Sequence, residues 1–291
     1  MKLLRFEIEG IQKIGSVEGN AIASLTDRLP SNPDEMVSLI RNWSDLRAEA
    51  EGARGRMDYD LSDVALLAPI ARPGKIFGIG LNYADHAAEA GGRQSELQTW
   101  FSKAATAVNA PFGNILLPAV SSALDYEGEL VAVVGQGGKH LTKELAATAI
   151  FGYCVGNDVS VRDWQIRTGQ FVLGKSFDTH APFGPWIVTA DEIDPSGLSI
   201  RSYVNGDLRQ SSNTGYMIFD CAAQLSHLSE AMTMEPGDLL FTGTPAGVGA
   251  AMTPPNYLKC GDIVRVEIEG IGAIENVVAE EKLAKGALNN G

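Results

Sequence analysis

The sequence contains few cysteines and no long apolar run. Only three of its 291 residues are cysteine, an odd number at wide spacings, which argues against a disulfide scaffold or a zinc site. We expect Cys154, Cys221 and Cys260 to be buried free thiols. The apolar stretches fall short of the roughly 20 residues that cross a bilayer, and MKLLRFEIEG resembles a strand rather than a signal sequence. A cytoplasmic protein with no membrane partner is therefore expected.

Positive charge is also scarce. The chain has 23 Lys and Arg residues against 36 Asp and Glu residues, a net charge of −13. This balance argues against nucleic acid as a partner, because binding to phosphates needs a basic surface. An acidic protein that acts on an acidic small molecule must concentrate positive charge locally, through a metal ion or a few Lys and Arg side chains.

The apolar pattern predicts an α+β fold that is mostly β. Short strands followed by a polar helical stretch indicate a small N-terminal α/β domain at residues 1–70, ahead of a main domain at residues 71–291. In the main domain strands outnumber helices and do not alternate with them regularly, so a mixed β-roll or sandwich with peripheral helices is favoured over a doubly wound fold. Helices are predicted at residues 32–53, 82–90, 143–151 and 214–232.

The segment DYEGELVAVVG places Glu127 and Glu129 one residue apart at the start of an apolar run. In an extended strand, residues i and i+2 lie on the same face. Two carboxylates that enter a region of low dielectric constant must be protonated, paired or bound to a cation. From these residues alone, a metal site and a solvated strand end are equally open interpretations.

Asp158 is a further acidic candidate, and Arg162 and Gln165 follow it. If a helical turn follows Asp158, these three side chains share one side of it. The alternative is that Asp158 only caps that helix. Three carboxylates without nearby His or Cys suit a hard cation, Mg²⁺ or Mn²⁺, better than zinc.

His86 and Glu89 are neighbours on a helix predicted from GLNYADHAAEAG. A carboxylate beside an imidazole orients the ring and raises its basicity, as a general base requires. An ordinary surface contact is the alternative. Glycines at positions 78, 80, 91 and 92 would allow this segment to act as a lid.

Two further segments are candidates for binding an anionic group. Lys175 lies in GKSFDTHAPFGPW, among residues that are unusually apolar for a solvated lysine, although a surface lysine remains the alternative. Thr242 and Thr244 lie in FTGTPAGVG, where backbone N–H groups can hold an anion. A plain structural turn is equally open there.

In this order along the chain, the segments resemble the fumarylacetoacetate hydrolase family over about residues 70–283. The resemblance rests on five motifs: G-x-N-Y-x-x-H-x-x-E at 80–89, D-Y-E-x-E-L at 125–130, N-D-V-S-x-R-D-W-Q at 157–165, G-K-S-F-D at 174–178 and T-G-T-P-x-G-V-G at 242–249. It implies a mixed β-roll fold, a homodimer and a bound Mg²⁺ or Mn²⁺ ion. It also implies that the metal ligands are Glu127, Glu129 and Asp158.

The resemblance further implies roles in catalysis. His86 and Glu89 would activate water on a mobile lid, and Lys175 would lie beside the metal and the substrate oxygens. The polar neighbours of the substrate, including the residue in the anion-holding turn, would be Arg162, Gln165 and Thr244.

Three features depart from the family pattern. Gly128 replaces an apolar residue between the two glutamates, which is expected to loosen that strand locally. His180 stands where an aromatic residue is common, and either contacts a polar group of the substrate or simply packs. Residues 91–124 match the family least well, so the identity of the substrate is not determined.

The residues and the resemblance together predict a metal-dependent hydrolase that cleaves a 2,4-dioxo acid to pyruvate and a carboxylic acid. Lys175 would polarise the C4 carbonyl, and His86 would take a proton from the attacking water. The same site would also suit an oxaloacetate decarboxylase or tautomerase, a 2-oxo-4-enoate hydratase or a ureidoglycolate lyase. A non-catalytic metal-stabilised protein is the remaining alternative, and it leaves His86 and Glu89 without a role.

Overall fold

A computed structural model describes residues 1–29, 35–89, 91 and 96–282 of the chain. Its strands are β1 (Lys2–Ile8), β2 (Ile11–Glu18), β3 (Ala21–Ser24), β4 (Tyr59–Asp60), β5 (Ala65–Leu67), β6 (Ile76–Gly80), β7 (Thr99–Ser102), β8 (Val108–Asn109), β9 (Ile115–Leu117), β10 (Leu124–Asp125), β11 (Gly128–Val134), β12 (Ile150–Asn157), β13 (Ser160–Val161), β14 (Ala181–Thr189), β15 (Ser199–Val204), β16 (Asp207–Asn213), β17 (Leu239–Phe241), β18 (Ile263–Ile268) and β19 (Gly272–Glu280). Its α-helices are α1 (Met36–Arg41), α2 (Trp43–Gly52), α3 (Ala84–Glu89), α4 (Lys143–Ala149), α5 (Arg162–Gln165) and α6 (Cys221–Ala231).

Within the described residues the strands form a twelve-stranded sheet, a five-stranded sheet and a two-stranded pair. The large sheet has the order β4-β3-β2-β1-β14-β12-β11-β17-β6-β7, with β5 beside β1 and β8 beside β14. The five-stranded sheet has the order β16-β15-β18-β19-β9, and β10 pairs with β13. The prediction of a mostly β fold with peripheral helices is confirmed.

Strand β11 shows that the large sheet is covered on both faces, since all of its residues are buried. Val131 and Val133 belong to the core that includes residues of α1 and α2. Leu130, Ala132 and Val134 belong to the core that includes residues of β15, β18 and α6. Because side chains alternate along a strand, a run that is apolar on both faces is what such a position requires.

Strand pairing gathers several loops at one edge of the large sheet. Antiparallel pairing sets Gly128, at the start of β11, opposite Asn157, at the end of β12. Strand β17 is also antiparallel to β11, and β6 is parallel to β17. The start of β11 therefore lies beside the ends of β12, β17 and β6, and the segments that follow those strands meet at this edge.

The N-terminal segment adds strands to the same large sheet. Strand β1 pairs with β2 and β5, and it also pairs with β14 of the main part of the chain. Helix α2 packs against that part as well, because the rings of Trp43 and Phe151 meet edge to face with centroids 5.2 Å apart. The division of the chain at residue 70 stays a prediction.

The helices begin and end differently from the prediction. The prediction at residues 214–232 is wrong in its first part, because Asp220 accepts a hydrogen bond from the N–H of Ala223 and α6 begins only after this N-cap. The prediction at residues 143–151 runs too far, because β12 begins at Ile150. Residues 32–53 contain two helices that meet at Asn42, and residues 32–34 lie outside the described ranges. None of the described helices has the length and apolar character needed to span a membrane.

Helix α3 is shorter than predicted at its start. The side-chain amide of Asn82 donates to the carbonyl oxygens of Phe219 and Thr242 at 3.0 and 2.8 Å, so Asn82 belongs to the preceding turn. Ala90, the last residue of the predicted helix, and Gly92, one of the predicted lid glycines, lie outside the described residues.

All three cysteines are free thiols. Cys154 in β12 and Cys221 at the start of α6 are buried, as predicted. Cys260 is exposed, because it lies in the turn that precedes β18 rather than in a strand. The prediction of burial is therefore wrong for Cys260.

Gly128 allows β11 to pack closely on the five-stranded sheet. A Cβ atom at this position would lie 2.2 Å from Ser202 Oγ and 3.0 Å from Val266 Cγ1. The N–H of Gly128 donates to Gln210 Oε1 at 2.9 Å. The expectation that this glycine loosens the strand is therefore wrong, since it permits a close contact instead.

We expect Gly128→Ala to lower the free energy of unfolding by about 1–3 kcal/mol, because the added methyl group overpacks the contact with Ser202. Urea denaturation measures the change. Gly52→Ala is the control, since its Cβ would meet nothing within 4 Å and alanine favours the helix. A Gly128→Ala variant that unfolds at the same urea concentration as the wild type would contradict this account.

Candidate active site

Three carboxylates converge where β11 begins and β12 ends. Glu127 immediately precedes β11, Glu129 is its second residue, and Asp158 follows β12. One oxygen atom from each lies within 4.8 Å of the others, and all three side chains are buried. The burial rules out a solvated strand end, and the convergence is what a shared set of oxygen ligands requires.

Basic side chains surround these carboxylates. Lys175 Nζ donates to Glu127 Oε2 at 2.7 Å and to Asp158 Oδ2 at 2.6 Å. Arg162 reaches the other oxygen of Glu127 at 2.6 Å, and Lys103 Nζ donates to the other oxygen of Asp158. Lys175 is buried, so the alternative of a surface lysine is wrong.

Lys103 is a buried residue of the site that the sequence analysis missed. It directly follows β7, in the part of the chain that resembles the family least. The only local signal is a lysine immediately after the aromatic strand TWFS. No spacing links it to Asp158, which lies 55 residues further along the chain.

The surroundings shift the pKa values of the two glutamates in opposite directions. Burial by itself would raise the pKa of Glu127, but Lys175 and Arg162 outweigh burial and hold that pKa below its ordinary value. Burial, together with the charges of Asp158 and Glu127, raises the pKa of Glu129 well above its ordinary value. A cation that joined the three oxygens would favour the charged form of Glu129, so the donor set fits a hard divalent ion.

His86 and Glu89 form a hydrogen-bonded pair on α3. His86 Nδ1 lies 3.0 Å from Glu89 Oε2, and the other oxygen of Glu89 accepts from the N–H of Gly247 at 2.9 Å. The imidazole is thus held through Nδ1, which leaves Nε2 for proton transfer. Both side chains line the same pocket as Glu127 and Lys175, so the pair is more than a surface contact.

The turn after β17 binds carboxylates of the protein through its backbone N–H groups. The pairs are Gly243 with Glu129 at 2.8 Å, Gly247 with Glu89 at 2.9 Å, and Gly249 and Ala250 with Asp125 at 2.8 and 3.0 Å. Gly247 has a φ of 107°, and a Cβ there would lie 2.1 Å from the carbonyl oxygen of Arg209, so only glycine fits. The anions held by this turn are therefore internal carboxylates.

Thr244 lies in the same turn and lines the pocket. Its hydroxyl donates to the carbonyl oxygen of Gly128 at 3.0 Å and accepts from Gln210 Nε2 at 2.8 Å. The hydroxyl is used within the protein, so the geometry does not favour the predicted contact with the substrate.

Arg162 connects the carboxylate cluster to Asp125. Helix α5 has Val161 as its N-cap and no side-chain cap, so the N-cap alternative for Asp158 is wrong. Arg162 Nε donates to Asp125 Oδ2 at 2.8 Å, and Arg162 NH1 donates to Gln165 Oε1 at 2.9 Å. Asp125 is fully buried. Asp125 belongs to the D-Y-E-x-E-L motif, but the sequence predicted no role for it, because its hydrogen-bond partners come from distant segments.

A pocket of about 520 Å³ opens beside this site. The acidic and basic side chains among its described lining residues are His86, Glu89, Glu127, Arg162 and Lys175. Much of the remaining lining is apolar and includes Phe101, Ile166, Phe171 and Val248, and Tyr257 adds a ring with a hydroxyl group. Gln165 also lines the pocket, beside Arg162.

His180 packs within the protein and is not among the residues that line the pocket. Its Nε2 lies 2.8 Å from the carbonyl oxygen of Leu116, and its ring centroid lies 5.5 Å from that of Phe177. Burial lowers the pKa of His180 to about 4. Of the two interpretations of this residue, the structure supports packing.

Residues 75–279 match the family model described as fumarylacetoacetate (FAA) hydrolase C-terminal. The chain belongs to the fumarylacetoacetate hydrolase family. Among relatives in this family, a mitochondrial oxaloacetate tautomerase of Xenopus laevis is 42% identical over 266 residues, which cover 90% of this chain and 83% of that protein. A mitochondrial oxaloacetate tautomerase of Bos taurus is 46% identical over 287 residues, which cover 96% of this chain and 91% of that protein.

Solved structures of family members have the same fold. The maleylpyruvate hydrolase of Sphingobium sp. SYK-6, in complex with manganese(II) ion and pyruvate, superimposes with a TM-score of 0.81 and 32% sequence identity. The match covers 97% of this chain and all of that chain. The fumarylacetoacetate hydrolase of Exiguobacterium antarcticum gives a TM-score of 0.83 at 39% identity, with the same coverage. The predicted family and fold are confirmed.

We expect Glu129→Gln to raise the melting temperature of the metal-free protein and to abolish the further rise on adding Mn²⁺. Because the pKa of Glu129 is raised in the folded protein, this group's contribution to stability is present below its unfolded pKa of about 4.3 and is lost as pH rises through the folded value. Glutamine stays neutral and avoids this loss, so the advantage should grow as pH rises above the unfolded pKa of glutamate. Differential scanning calorimetry in EDTA, and then with Mn²⁺, measures both effects.

Glu127→Gln is the matched control and should lower the metal-free melting temperature. Its carboxylate is the partner of Lys175 and Arg162, and its removal leaves buried cations underpaired. A metal-free Glu129→Gln protein that melts below the wild type, or one that Mn²⁺ still stabilises fully, would show that Glu129 does not act as described.

Proposed function

We propose that this protein is a divalent-metal-dependent enzyme that acts on 2-oxo acids with a carbonyl group at C4. The first candidate reaction is the interconversion of the keto and enol forms of oxaloacetate. The hydrolysis of an acylpyruvate at its C3–C4 bond, which the sequence analysis favoured, is the second candidate. Both reactions place negative charge on the oxygen at C2 of the substrate, so the same site serves both.

One observation carries the proposal: a cluster of buried carboxylates adjoins an imidazole–carboxylate pair, since Glu127 of the cluster lines the same pocket as His86 and Glu89. The first part suits a metal that binds the oxygens of a 2-oxo acid, and the second suits the transfer of a proton. Oxaloacetate is placed first because three relatives named as oxaloacetate tautomerases are 39–46% identical over 90–96% of this chain.

Glu127, Glu129 and Asp158 would hold the divalent cation. When bound, such a cation supplies Lewis-acid polarisation of the 2-oxo carbonyl group and positive charge beside the oxygen. Lys175 uses two of its three N–H donors on Glu127 and Asp158, which leaves the third for the oxygen at C4 of the substrate. Burial by itself would lower the pKa of Lys175, but the charges of Asp158 and Glu127 outweigh burial and raise the pKa above its ordinary value. The ammonium group therefore remains charged.

His86 would act as the base and then as the acid. Its Nε2 would take a proton from C3 of the keto form, and returning this proton to the oxygen at C2 would complete the tautomerisation. Glu89 holds Nδ1 and stabilises the imidazolium that forms between the two steps. The bond from Gly247 to Glu89 holds that carboxylate in place.

Hydrolysis is retained because the pocket is larger than a four-carbon acid requires. Its volume of about 520 Å³ falls among those of pockets that bury drug-sized ligands. In this reaction His86 would take a proton from water, the hydroxide would add to C4, and the C3–C4 bond would break to give a carboxylic acid and the enolate of pyruvate. Return of the proton from His86 to C3 would then give pyruvate. The similar maleylpyruvate hydrolase structure with manganese(II) and pyruvate supports this candidate.

We also propose a homodimer and a cytoplasmic location, both of which rest on the sequence analysis. The two tautomerases of Xenopus laevis and Bos taurus are named as mitochondrial proteins, a property of those proteins. Light scattering coupled to size-exclusion chromatography tests the dimer directly.

The test of the function uses protein stripped of metal with EDTA and then supplied with Mg²⁺ or Mn²⁺. Loss of enol absorbance follows the tautomerisation of oxaloacetate, and release of pyruvate follows the hydrolysis of acylpyruvates. We expect metal-dependent acceleration of the first reaction. Hydrolysis without tautomerisation would make the second candidate the function, and full activity in EDTA would refute the metal assignment. Turnover of neither substrate, with Mn²⁺ still bound, would favour a non-catalytic metal-binding protein.

We expect His86→Ala to lower kcat by about 10²–10⁴-fold, the usual contribution of general acid–base catalysis. The affinity for Mn²⁺ and the melting temperature should stay close to those of the wild type, because His86 contributes no oxygen ligand. Stopped-flow assays, titration calorimetry and thermal melting measure the three quantities.

The control is His227→Ala, which changes an exposed histidine on α6 that accepts a hydrogen bond from Trp100 Nε1. This variant should keep full activity. Loss of folding in His86→Ala, or equal losses of activity in both variants, would contradict the catalytic role.

A further inference from the structure

We propose that the pocket selects substrates whose chain beyond C4 is apolar and uncharged, and that Ile166 is a specificity-determining residue for this selection. The inference rests on the proposed function, because a 2-oxo acid bound at the carboxylate cluster defines where its C4 group and the following atoms lie. It concerns the substrate class of the hydrolytic reaction, since oxaloacetate has no carbon beyond C4.

An apolar wall begins directly beside the catalytic ammonium group. Lys175 Nζ lies 4.8 Å from the centroid of the Phe101 ring, and the rings of Phe101 and Phe171 are tilted against each other with centroids 6.1 Å apart. Ile166 and Val248 also line this pocket. A substrate chain that extends past the C4 oxygen held by Lys175 therefore enters an aromatic and aliphatic environment.

The basic side chains that line the described part of the pocket are already engaged with other groups. Arg162 is bound to Asp125 and Glu127. Lys175 is bound to Glu127 and Asp158, and its remaining donor serves the C4 oxygen. His86 is held at Nδ1 by the neighbouring glutamate on α3, and its Nε2 is assigned to proton transfer at the reacting atoms. None of them is left for a carboxylate at the far end of a substrate.

Three backbone donors of the turn after β17 are occupied in the same way. The N–H groups of Gly249 and Ala250 bind Asp125, and the N–H of Gly247 binds Glu89. A distal carboxylate would therefore lose water without gaining these donors, which is unfavourable. An apolar chain has no such penalty, and it gains by covering apolar surface.

Ile166 is the clearest apolar side chain at the mouth of this pocket. It lies directly after α5, lines the pocket, and is 77% exposed. A ligand that covers this side chain removes apolar surface from water, which favours binding. Its exposure also means that a lysine can replace it with the charged end in water, so the substitution tests recognition without disturbing the core.

The experiment compares two substrates of equal length, 2,4-dioxoheptanoate and 2,4-dioxoheptanedioate, which differ only in a carboxylate at C7. Pyruvate release with saturating Mn²⁺ gives kcat/KM for each, and oxaloacetate is assayed in parallel. We expect the wild type to prefer the uncharged tail by about tenfold, because the distal carboxylate is desolvated without a free basic side chain among the described lining residues. Equal rates, or a preference for the diacid, would overturn the inference.

Ile166→Lys should reduce that preference about fivefold, because a half-exposed ion pair with the C7 carboxylate replaces an apolar contact. The matched control is Leu173→Lys, which adds the same charge at a position that is 56% exposed and is not among the residues that line the pocket. We expect this variant to keep the wild-type ratio within a factor of about two, because an exposed charge that does not line the pocket is largely screened by solvent. An unchanged ratio in Ile166→Lys, or the same change in Leu173→Lys, would overturn the role of Ile166.

Failure of the inference and failure of the proposed function are distinguishable in this assay. Turnover of oxaloacetate but of neither dioxo acid would keep the proposed tautomerase and overturn the inference, because the pocket would not accept a tail. Turnover of none of the three compounds would overturn both.

Discussion

The burial of several carboxylates at one edge of a sheet is the constraint on which this structure depends. Like charges repel strongly where the dielectric constant is low, so each of these groups needs a compensating neighbour. Lys175 and Lys103 form ion pairs with Asp158, and Lys175 and Arg162 form ion pairs with Glu127. Glu129 is the least compensated of the three, and burial with the neighbouring carboxylates raises its pKa. A divalent cation bound here would compensate this group most.

A single turn connects the parts of the site that must work together. The segment at residues 242–250 binds the least compensated carboxylate, the carboxylate that orients His86, and the carboxylate that holds Arg162. These three groups come from separate segments of the chain. Because one turn with glycine at its closest contacts binds all of them, Glu129, the His86–Glu89 pair and Arg162 are held in defined relative positions. Such preorganised geometry is what acid–base and electrostatic catalysis need.

Family membership and substrate choice rest on different residues. The residues of the charged centre lie mainly in the motifs shared with the family, whereas Phe101, Ile166 and Phe171 lie outside those motifs. Their side chains shape the part of the pocket that a longer substrate would enter. Relatives of this chain are named for different reactions on related acids, which accords with a common reacting centre and variable pocket walls.

The sequence by itself determined the mostly β character of the fold, the family and most of the charged residues of the site. The apolar run after Glu127 predicted the buried strand β11, because burial on both faces of a strand shows locally as a continuous run of apolar residues. The tertiary structure decided which groups compensate the carboxylates. Lys103 meets Asp158 across 55 residues, and Gly247 meets Glu89 across 158 residues, so these contacts depend on the pairing and register of strands rather than on spacing. The same holds for Gly128, whose close packing against Ser202 is visible only once two sheets face each other. Periodicity records which residues are buried, whereas the identity of their partners is set by how distant segments come together.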